Sequence, residues 1–230
     1  MDSPARPGRL KPREPESAPP PWAVDPEGLL KSDQSSLKVA LTGGLASGKS
    51  TVAVLFEVFG AVRLDFDQLS REVVQPDGSC YQKVIDLFGP KVTLDDGRLD
   101  RTFISRKVFK DKDLRLSLEA IMHPEIWRLM LVKLKKLGQK PVVVIEVPLL
   151  YEAGLNSLFD HVILSFASPE NQLRRLLFRN PKLSKGQAKR MISTQMPILE
   201  KLRRANLIID NNGSFSVAIY QTKNIWDKLT

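Results

Sequence analysis

Short apolar runs alternate with helical patterns along the chain from residue 37 onward. The first run, LKVALTG at residues 37–43, ends in glycine and predicts a buried strand. Apolar residues then recur at helical spacing between residues 52 and 59, and Gly60 ends that helix. The run AVRLD at residues 61–65 predicts a second strand. Together these elements form one βαβ unit with a glycine-containing loop after its first strand.

Three later apolar runs predict the rest of a sheet. They read PVVVIEVPLL, HVILSF and ANLIID at residues 141–150, 161–166 and 205–210. Because these runs do not alternate apolar with polar residues, both faces of each strand should be covered, as in a parallel sheet. We predict an α/β fold with a five-stranded, mostly parallel sheet, a helical insertion after the second strand, and a small helical segment before the fifth.

The first 36 residues differ in composition from the remainder. They hold eight of the chain's 16 prolines, among charged and small residues and without apolar periodicity. Such a composition buries too little apolar surface to offset the entropy of ordering, so we predict a disordered arm over residues 1–36. An organellar transit peptide is the alternative, but acidic residues such as Glu14 and Glu16 argue against it.

Bulk composition restricts the class of protein. With 230 residues and 42% hydrophobic content, the chain can form an ordinary core in one globular domain. Its single cysteine excludes an internal disulfide and favours a reducing compartment, and no apolar run approaches the ~20 residues of a membrane span. We therefore expect a cytoplasmic protein without membrane contact. The formal charge of +9 suggests a polyanionic partner or a nucleotide.

The loop after the first strand carries the strongest chemical motif. Residues 43–50 read GGLASGKS, a match to G-x-x-x-x-G-K-[ST] between a predicted strand and a predicted helix. Glycines let backbone N–H groups point at phosphate oxygens, Lys49 can reach the β and γ phosphates, and the Ser50 hydroxyl can bind Mg²⁺. We predict that ATP and Mg²⁺ bind here, with nucleotide contacts from Gly43, Gly44, Ala46, Ser47, Gly48, Lys49, Ser50 and Thr51.

Acidic residues follow two of the strands. Asp65 and Asp67 come at the end of the second strand, at the edge where a parallel sheet presents its ligands. Asp67 is a candidate general base for a hydroxyl acceptor, and capping of the following helix is the alternative for that residue. Glu146 ends the VVVIE run and is the predicted partner of Ser50 at the metal.

A basic segment over residues 171–204 precedes the fifth strand. Arg175 and Arg179 are four residues apart and share a helix face, and with Arg190 they could close over a transferring phosphate. A polynucleotide kinase is an alternative, but it would need aromatic stacking residues among the basic ones, and Phe178 is the only one here. A GTPase-like module is disfavoured because the sequence has no N-K-x-D motif.

Taken in order, the motifs resemble those of the dephospho-CoA kinase family. The resemblance covers residues 38–230 and rests on these stretches: TGGLASGKSTV, LDFDQLSREVVQP, GRLDRTFISRKVF, HPEI, VPLLYE, QLRRLLFRN, KRMISTQMP and IIDNNG. It implies ATP-dependent phosphorylation of the ribose 3′-hydroxyl of 3′-dephospho-CoA, the last step of coenzyme A synthesis. The partner would be that small molecule rather than nucleic acid, and the enzyme would be a monomer or small homo-oligomer.

The resemblance also implies roles for individual residues. Asp67, Lys49 and Arg179 would be catalytic, and Arg175 and Asn211 would join the nucleotide site. The acceptor would be bound by Asp65, Asp67, Arg71, Arg101, His123 and Arg179. Within a kinase domain over residues 37–230, three parts are implied: a core (37–66, 139–170 and 205–230), an acceptor lobe (67–138) and a lid (171–204).

The sequence departs from the family pattern at a few positions. Phe66 replaces a small residue between the two aspartates, and its bulk could change how the acceptor ribose sits.

A lone histidine such as His123 is also more often a packing residue than a binding one. Kinases for other small acceptors, such as nucleoside monophosphates or shikimate, share the P-loop architecture, so the acceptor assignment depends on the resemblance.

Overall fold

The structure is a computed structural model that describes residues 36–136 and 142–230. Its strands are β1 (Leu37–Gly43), β2 (Val62–Asp65), β3 (Val142–Glu146), β4 (His161–Phe166) and β5 (Leu207–Asp210). Its α-helices are α1 (Lys49–Val58), α2 (Phe66–Glu72), α3 (Tyr81–Phe88), α4 (Arg101–Lys110), α5 (Lys112–Lys136), α6 (Pro169–Arg179), α7 (Lys185–Ser193), α8 (Ile198–Arg204) and α9 (Phe215–Leu229).

The described residues form two compact units. A sheet unit comprises residues 36–64 and 142–230, and a helical unit comprises residues 65–136. The finer division into core, acceptor lobe and lid stays a prediction. The predicted arm lies outside the described residues, except for Ser36. No helix within the two described ranges is both long and apolar enough to cross a membrane.

The sheet has the strand order β2-β3-β1-β4-β5. β1 pairs in parallel with β3 and β4, and β4 pairs in parallel with β5, which confirms the predicted fold class. The register sets Leu41 beside Glu146, and it sets Gly43 beside Ser165. The carboxyl ends of the central strands therefore bring the glycine loop, Glu146 and Ser165 to one edge of the sheet.

Both faces of the sheet are covered. Apolar residues of β1, β3, β4 and β5 pack with α1 and α9 in one buried cluster, which includes Val39, Val144, Phe56 and Ile225. On the other side, Leu164 of β4 packs with residues of α8 and the segment after it. This double cover explains why the strands read as continuous apolar runs. The motif and strand patterns do not predict α9.

The third strand is shorter than its apolar run. The run at residues 141–150 predicts a strand of that whole length, but β3 ends at Glu146. Val147 still donates its N–H to Leu41, and Pro148 follows without an N–H of its own. The chain then turns through residues 148–154, where Leu150 is buried in a turn rather than in the sheet and Leu149 is exposed.

The helical unit is organised by α5. This 25-residue helix buries one stripe of apolar side chains and contacts α2, α3 and α4. Phe66 of α2 packs edge-on against His123, with ring centroids 6.0 Å apart, and against Trp127 at 5.5 Å. The large side chain of Phe66, between Asp65 and Asp67, is therefore buried against α5.

The burial of His123 predicts acid sensitivity. Burial lowers the pKa of this imidazole from 6.5 to about 4, so the folded state keeps it neutral while the unfolded chain protonates it near pH 6.5. Its contribution to stability is thus present above pH 6.5 and is lost as the pH falls toward 4, by about 3 kcal/mol.

His123→Gln should remove this part of the pH dependence. The measurement is the free energy of unfolding by urea at pH 7 and pH 4.5 for the wild type, for His123→Gln, and for His161→Gln as a matched histidine control. An equal pH dependence in all three proteins would contradict the prediction.

Candidate active site

The glycine loop forms a tight bend between β1 and α1. Two of its residues lie in the left-handed region, with φ of 59° at Ala46 and 86° at Gly48. Gly48 is the N-cap of α1, and a Cβ atom there would also collide with the side-chain nitrogen of Asn211. Because both the positive φ and the close approach exclude a side chain, glycine is required at this position. Thr51, in the first turn of α1, lines a cleft beside the bend.

Three donors hold the carbonyl of Ser47 inside the protein. Its oxygen accepts from Asn211 Nδ2 at 2.8 Å, from Ser165 Oγ at 3.2 Å and from the guanidinium of Arg175 at 3.4 Å. Arg175 also donates to the Asn211 carbonyl at 2.6 Å. With this carbonyl turned inward, the bend can present N–H groups to an anion without an opposing carbonyl dipole.

Glu146 lies between two cations. Its carboxylate is 1% exposed and accepts a hydrogen bond from Lys49 Nζ at 3.2 Å. The Arg63 guanidinium contacts the other carboxylate oxygen at 2.7 and 2.8 Å. A buried carboxylate is tolerated when it is paired in this way. The structure thus places the predicted metal residue beside the predicted phosphate-binding lysine, at the end of β3.

Ser50 and Glu146 carry the oxygen ligand types of the predicted magnesium site. Ser50 is exposed in the first turn of α1, and hydroxyl and carboxylate oxygens are ligands that Mg²⁺ accepts. In the described ranges, no group of three or more His, Cys, Asp and Glu side chains could hold a metal. Mg²⁺ usually keeps several waters and is held mainly by substrate phosphates.

An arginine-lined cleft adjoins the bend. It has a volume of about 490 Å³ and is lined by Gly48, Thr51, Arg174, Arg175, Phe178, Arg179, Asn211, Gly213 and Phe215. Burial lowers the pKa of Arg175 from its ordinary value, and the nearby charges of Arg174 and Arg179 lower it further. Because guanidinium groups stay protonated at neutral pH, this concentration of positive charge favours a bound polyanion. Arg190 is exposed on α7 and is not part of this lining.

Asp65 rather than Asp67 caps the helix after β2. The Asp65 carboxylate accepts the backbone N–H groups of Asp67 at 2.8 Å and Gln68 at 3.3 Å. This is the ordinary N-cap arrangement. The side chain of Asp67 is not needed for that cap, and it lies exposed in the first turn of α2.

A second arginine-lined cleft lies in the helical unit. Arg71, Arg98 and Arg101 line it together with Asp100, and its volume is about 380 Å³. Burial lowers the pKa of Arg101, the charge of Arg71 lowers it further, and Asp67 acts in the opposite direction. The charges of Arg71 and Asp67 thus both act on Arg101 within this unit. His123 is instead buried among aromatic side chains.

Sequence reasoning missed several residues that shape the bend or hold Glu146 beside it. Arg63 precedes the two aspartates and has no motif of its own, and Ser165 is one polar residue inside an apolar strand. Gln172 is buried in α6, where its side-chain oxygen would lie 2.5 Å from a Cβ on Gly44. The signal available for Ser165 was its position one residue before the end of β4, the strand that neighbours β1, where it pairs with Gly43.

The family model for dephospho-CoA kinase matches residues 37–216, which include the bend, Glu146, both clefts and Asn211. The chain belongs to the dephospho-CoA kinase family. A relative named dephospho-CoA kinase from Geobacter sulfurreducens is 40% identical over 192 residues, covering 83% of this chain and 97% of that protein. One from Carboxydothermus hydrogenoformans is 38% identical over 192 residues, covering 83% and 93%.

Solved structures agree with this membership. TT1252 from Thermus thermophilus superposes with a TM-score of 0.76 at 33% identity and covers 85% of this chain and 98% of its own. The dephospho-CoA kinase from Campylobacter jejuni has a TM-score of 0.61 at 25% identity and covers 84% and 96%. As a dephospho-CoA kinase family member, the chain is a kinase with a P-loop α/β fold.

The interaction between Asn211 and Ser47 predicts graded effects on nucleotide affinity. Asn211→Ala removes one donor from the Ser47 carbonyl, and Asn211→Asp places a carboxylate against that carbonyl and beside the arginine cleft. We expect the dissociation constant for ATP, measured by calorimetry, to rise about 3- to 10-fold in the alanine variant and further in the aspartate variant.

The affinity of the aspartate variant tests whether this side chain has either role at the nucleotide site. If Asn211→Asp binds ATP as tightly as the wild type, then Asn211 neither holds the bend nor faces the nucleotide. Circular dichroism at the same temperature would show whether both variants remain folded.

Proposed function

We propose that this kinase transfers the γ-phosphoryl group of ATP to the ribose 3′-hydroxyl of 3′-dephospho-CoA, giving coenzyme A and ADP. The observation that carries the proposal is the phosphate bend with its inward-held carbonyl, beside the Lys49–Glu146 pair. Family membership supports the acceptor, since the curated relatives named above bear that enzyme's name.

The bend binds the triphosphate in this proposal. Backbone N–H groups of the bend other than those of Leu45 and Ser47, together with the N-terminal end of α1, donate hydrogen bonds to the phosphate oxygens, and Lys49 contacts the β and γ phosphates. When the phosphates bind, Lys49 loses part of its interaction with Glu146 and gains an interaction with them. Ser50 and Glu146 would hold Mg²⁺, Glu146 through water, and the ion would neutralise charge that develops on the phosphates.

The arginine cleft beside the bend supplies transition-state stabilisation. Negative charge spreads over the equatorial oxygens of the γ-phosphoryl group during transfer, and preorganised guanidinium groups favour that distribution. Arg179 has this role in the proposal, while Arg175 holds the bend through Ser47 and Asn211. Arg175 thus acts on the nucleotide through the backbone as well as through its charge.

Asp67 removes the proton from the acceptor. Its carboxylate takes the proton of the 3′-hydroxyl as that oxygen attacks the γ phosphorus, and the bond from phosphorus to the β–γ bridging oxygen breaks. The role is compatible with the cap found in the structure, because Asp65 satisfies the helix end and leaves Asp67 out of it.

Arg71 and Arg101 bind the acceptor in this proposal. The acceptor carries a diphosphate, and two arginines that line one cleft match such a group through paired N–H donors. Asp65 and His123 contribute indirectly: Asp65 fixes the start of α2, and His123 supports Phe66 from α5. The cytoplasmic location and the monomeric or small oligomeric state stay predictions.

A panel of acceptors tests the proposed reaction. ADP release from the full chain, with ATP and Mg²⁺, should be strong with 3′-dephospho-CoA and near background with AMP and shikimate. The reason is that neither alternative combines a ribose 3′-hydroxyl with a pantetheine diphosphate. Turnover with AMP or shikimate and none with dephospho-CoA would reject the acceptor assignment.

Replacing Asp67 tests the proposed base. Asp67→Asn should lower kcat about 10²- to 10⁴-fold, because an amide cannot accept the proton, while the dissociation constant for ATP stays near that of the wild type. Asp65→Asn makes the same chemical change two residues earlier. Since asparagine also caps helices well, its kcat should fall by less than about 10-fold. Equal losses in the two variants would remove the special role of Asp67.

A further inference from the structure

Gln195 reaches the phosphate bend from the short segment between α7 and α8. Its side-chain oxygen accepts the backbone N–H of Leu45 at 2.9 Å, across 150 residues of sequence. Leu45 is the third residue of the bend, directly before the left-handed Ala46. The contact therefore lies on the first half of the bend, whereas the donors to Ser47 act on its second half.

The segment that carries Gln195 is itself fixed to the sheet unit. The neighbouring Met196 donates its N–H to Glu152 at 2.8 Å. Lys201 of α8, which is fully buried, pairs with the same carboxylate at 2.8 Å and donates to the Pro148 carbonyl at 3.2 Å. Pro148 and Glu152 belong to the turn that follows Glu146. The segment that carries Gln195 is thus tied to the turn after β3 through Glu152 and the neighbouring buried Lys201.

The first half of the bend needs such a support. Ala46 has a φ of 59°, a conformation that residues with a Cβ rarely adopt unless the surroundings impose it. Within the bend, Ser47 donates its N–H to the Gly44 carbonyl at 3.1 Å, which closes the turn around Leu45 and Ala46. An acceptor on the Leu45 N–H fixes the peptide that enters this turn.

We propose that Gln195 is a positioning residue for the nucleotide: its carboxamide holds Leu45, and with it the first half of the bend, in the form that receives phosphate. It acts through the backbone and touches neither reacting atom. The proposal rests on the proposed nucleotide-binding role of the bend. It adds that the segment between α7 and α8 helps to set the affinity for ATP.

The test compares three variants of the full chain with the wild type. Gln195→Ala removes the acceptor, and Gln195→Glu keeps an acceptor oxygen on a side chain of the same length. Gln187→Ala is the matched control, because Gln187 forms a capping box with Ser184 at the start of α7 and is exposed. It weakens the same helical segment without removing the contact to Leu45.

Three measurements decide the outcome. In Gln195→Ala, the dissociation constant and KM for ATP should rise about 3- to 10-fold with kcat changed less than about 2-fold, which is the pattern of lost uniform binding. Hydrogen exchange at the Leu45 amide should be faster in Gln195→Ala and remain protected in Gln195→Glu. Gln187→Ala should match the wild type in ATP affinity and in Leu45 exchange.

The proposal is overturned if Gln195→Ala keeps wild-type ATP affinity, or if Gln187→Ala weakens ATP binding equally. The second result would mean that general stability of the helical segment sets the affinity. Because ATP dissociation constants need no acceptor turnover, these results are independent of the acceptor assignment. A wild-type chain that binds no ATP would instead reject the proposed function itself.

Discussion

A phosphate-binding bend must separate its amides from its carbonyls, and the rest of this structure depends on that separation. Every residue of a bend carries one N–H and one C=O group, so a chain that curls toward an anion brings repulsive carbonyls as well as attractive amides. Here the Ser47 carbonyl is turned inward by Asn211, Ser165 and Arg175. These donors come from the end of β5, from β4 and from α6. The parallel order of the strands brings them to one edge.

The same edge of the sheet holds a buried negative charge, Glu146, beside a site proposed to bind anions. Glu146 is almost fully buried and would be costly without partners, and Lys49 and Arg63 provide them. The pairing has a second effect, because Lys49 is held near the bend before a nucleotide arrives. In the proposed reaction, Arg63 would keep Glu146 compensated when Lys49 contacts a phosphate. Two cations around one carboxylate would then let the lysine change partners without leaving an unpaired buried charge.

The fold was largely predictable because its signals are local. Apolar runs predict all five strands, and the glycine motif between a strand and a helix predicts the bend. The run at residues 141–150 predicted a strand that is too long, because burial in a turn and burial in a strand give the same apolar pattern.

The site was less predictable than the fold. Arg63 and Gln195 act through contacts between residues distant in sequence, and a single polar residue gives no periodic signal for such a contact.

The chemistry of the supporting residues follows from the charge of the ligand. The Leu45 amide needs an acceptor, but a carboxylate at that place would add negative charge beside a bend proposed to bind a triphosphate. The carboxamide of Gln195 accepts the same hydrogen bond without a net charge. At the Ser47 carbonyl the requirement is reversed: donors are needed, and a neutral amide, a hydroxyl and a guanidinium all suit an anion site. Each residue around the bend must therefore meet two requirements. It must make the needed hydrogen bond, and its charge must not oppose the binding of phosphates.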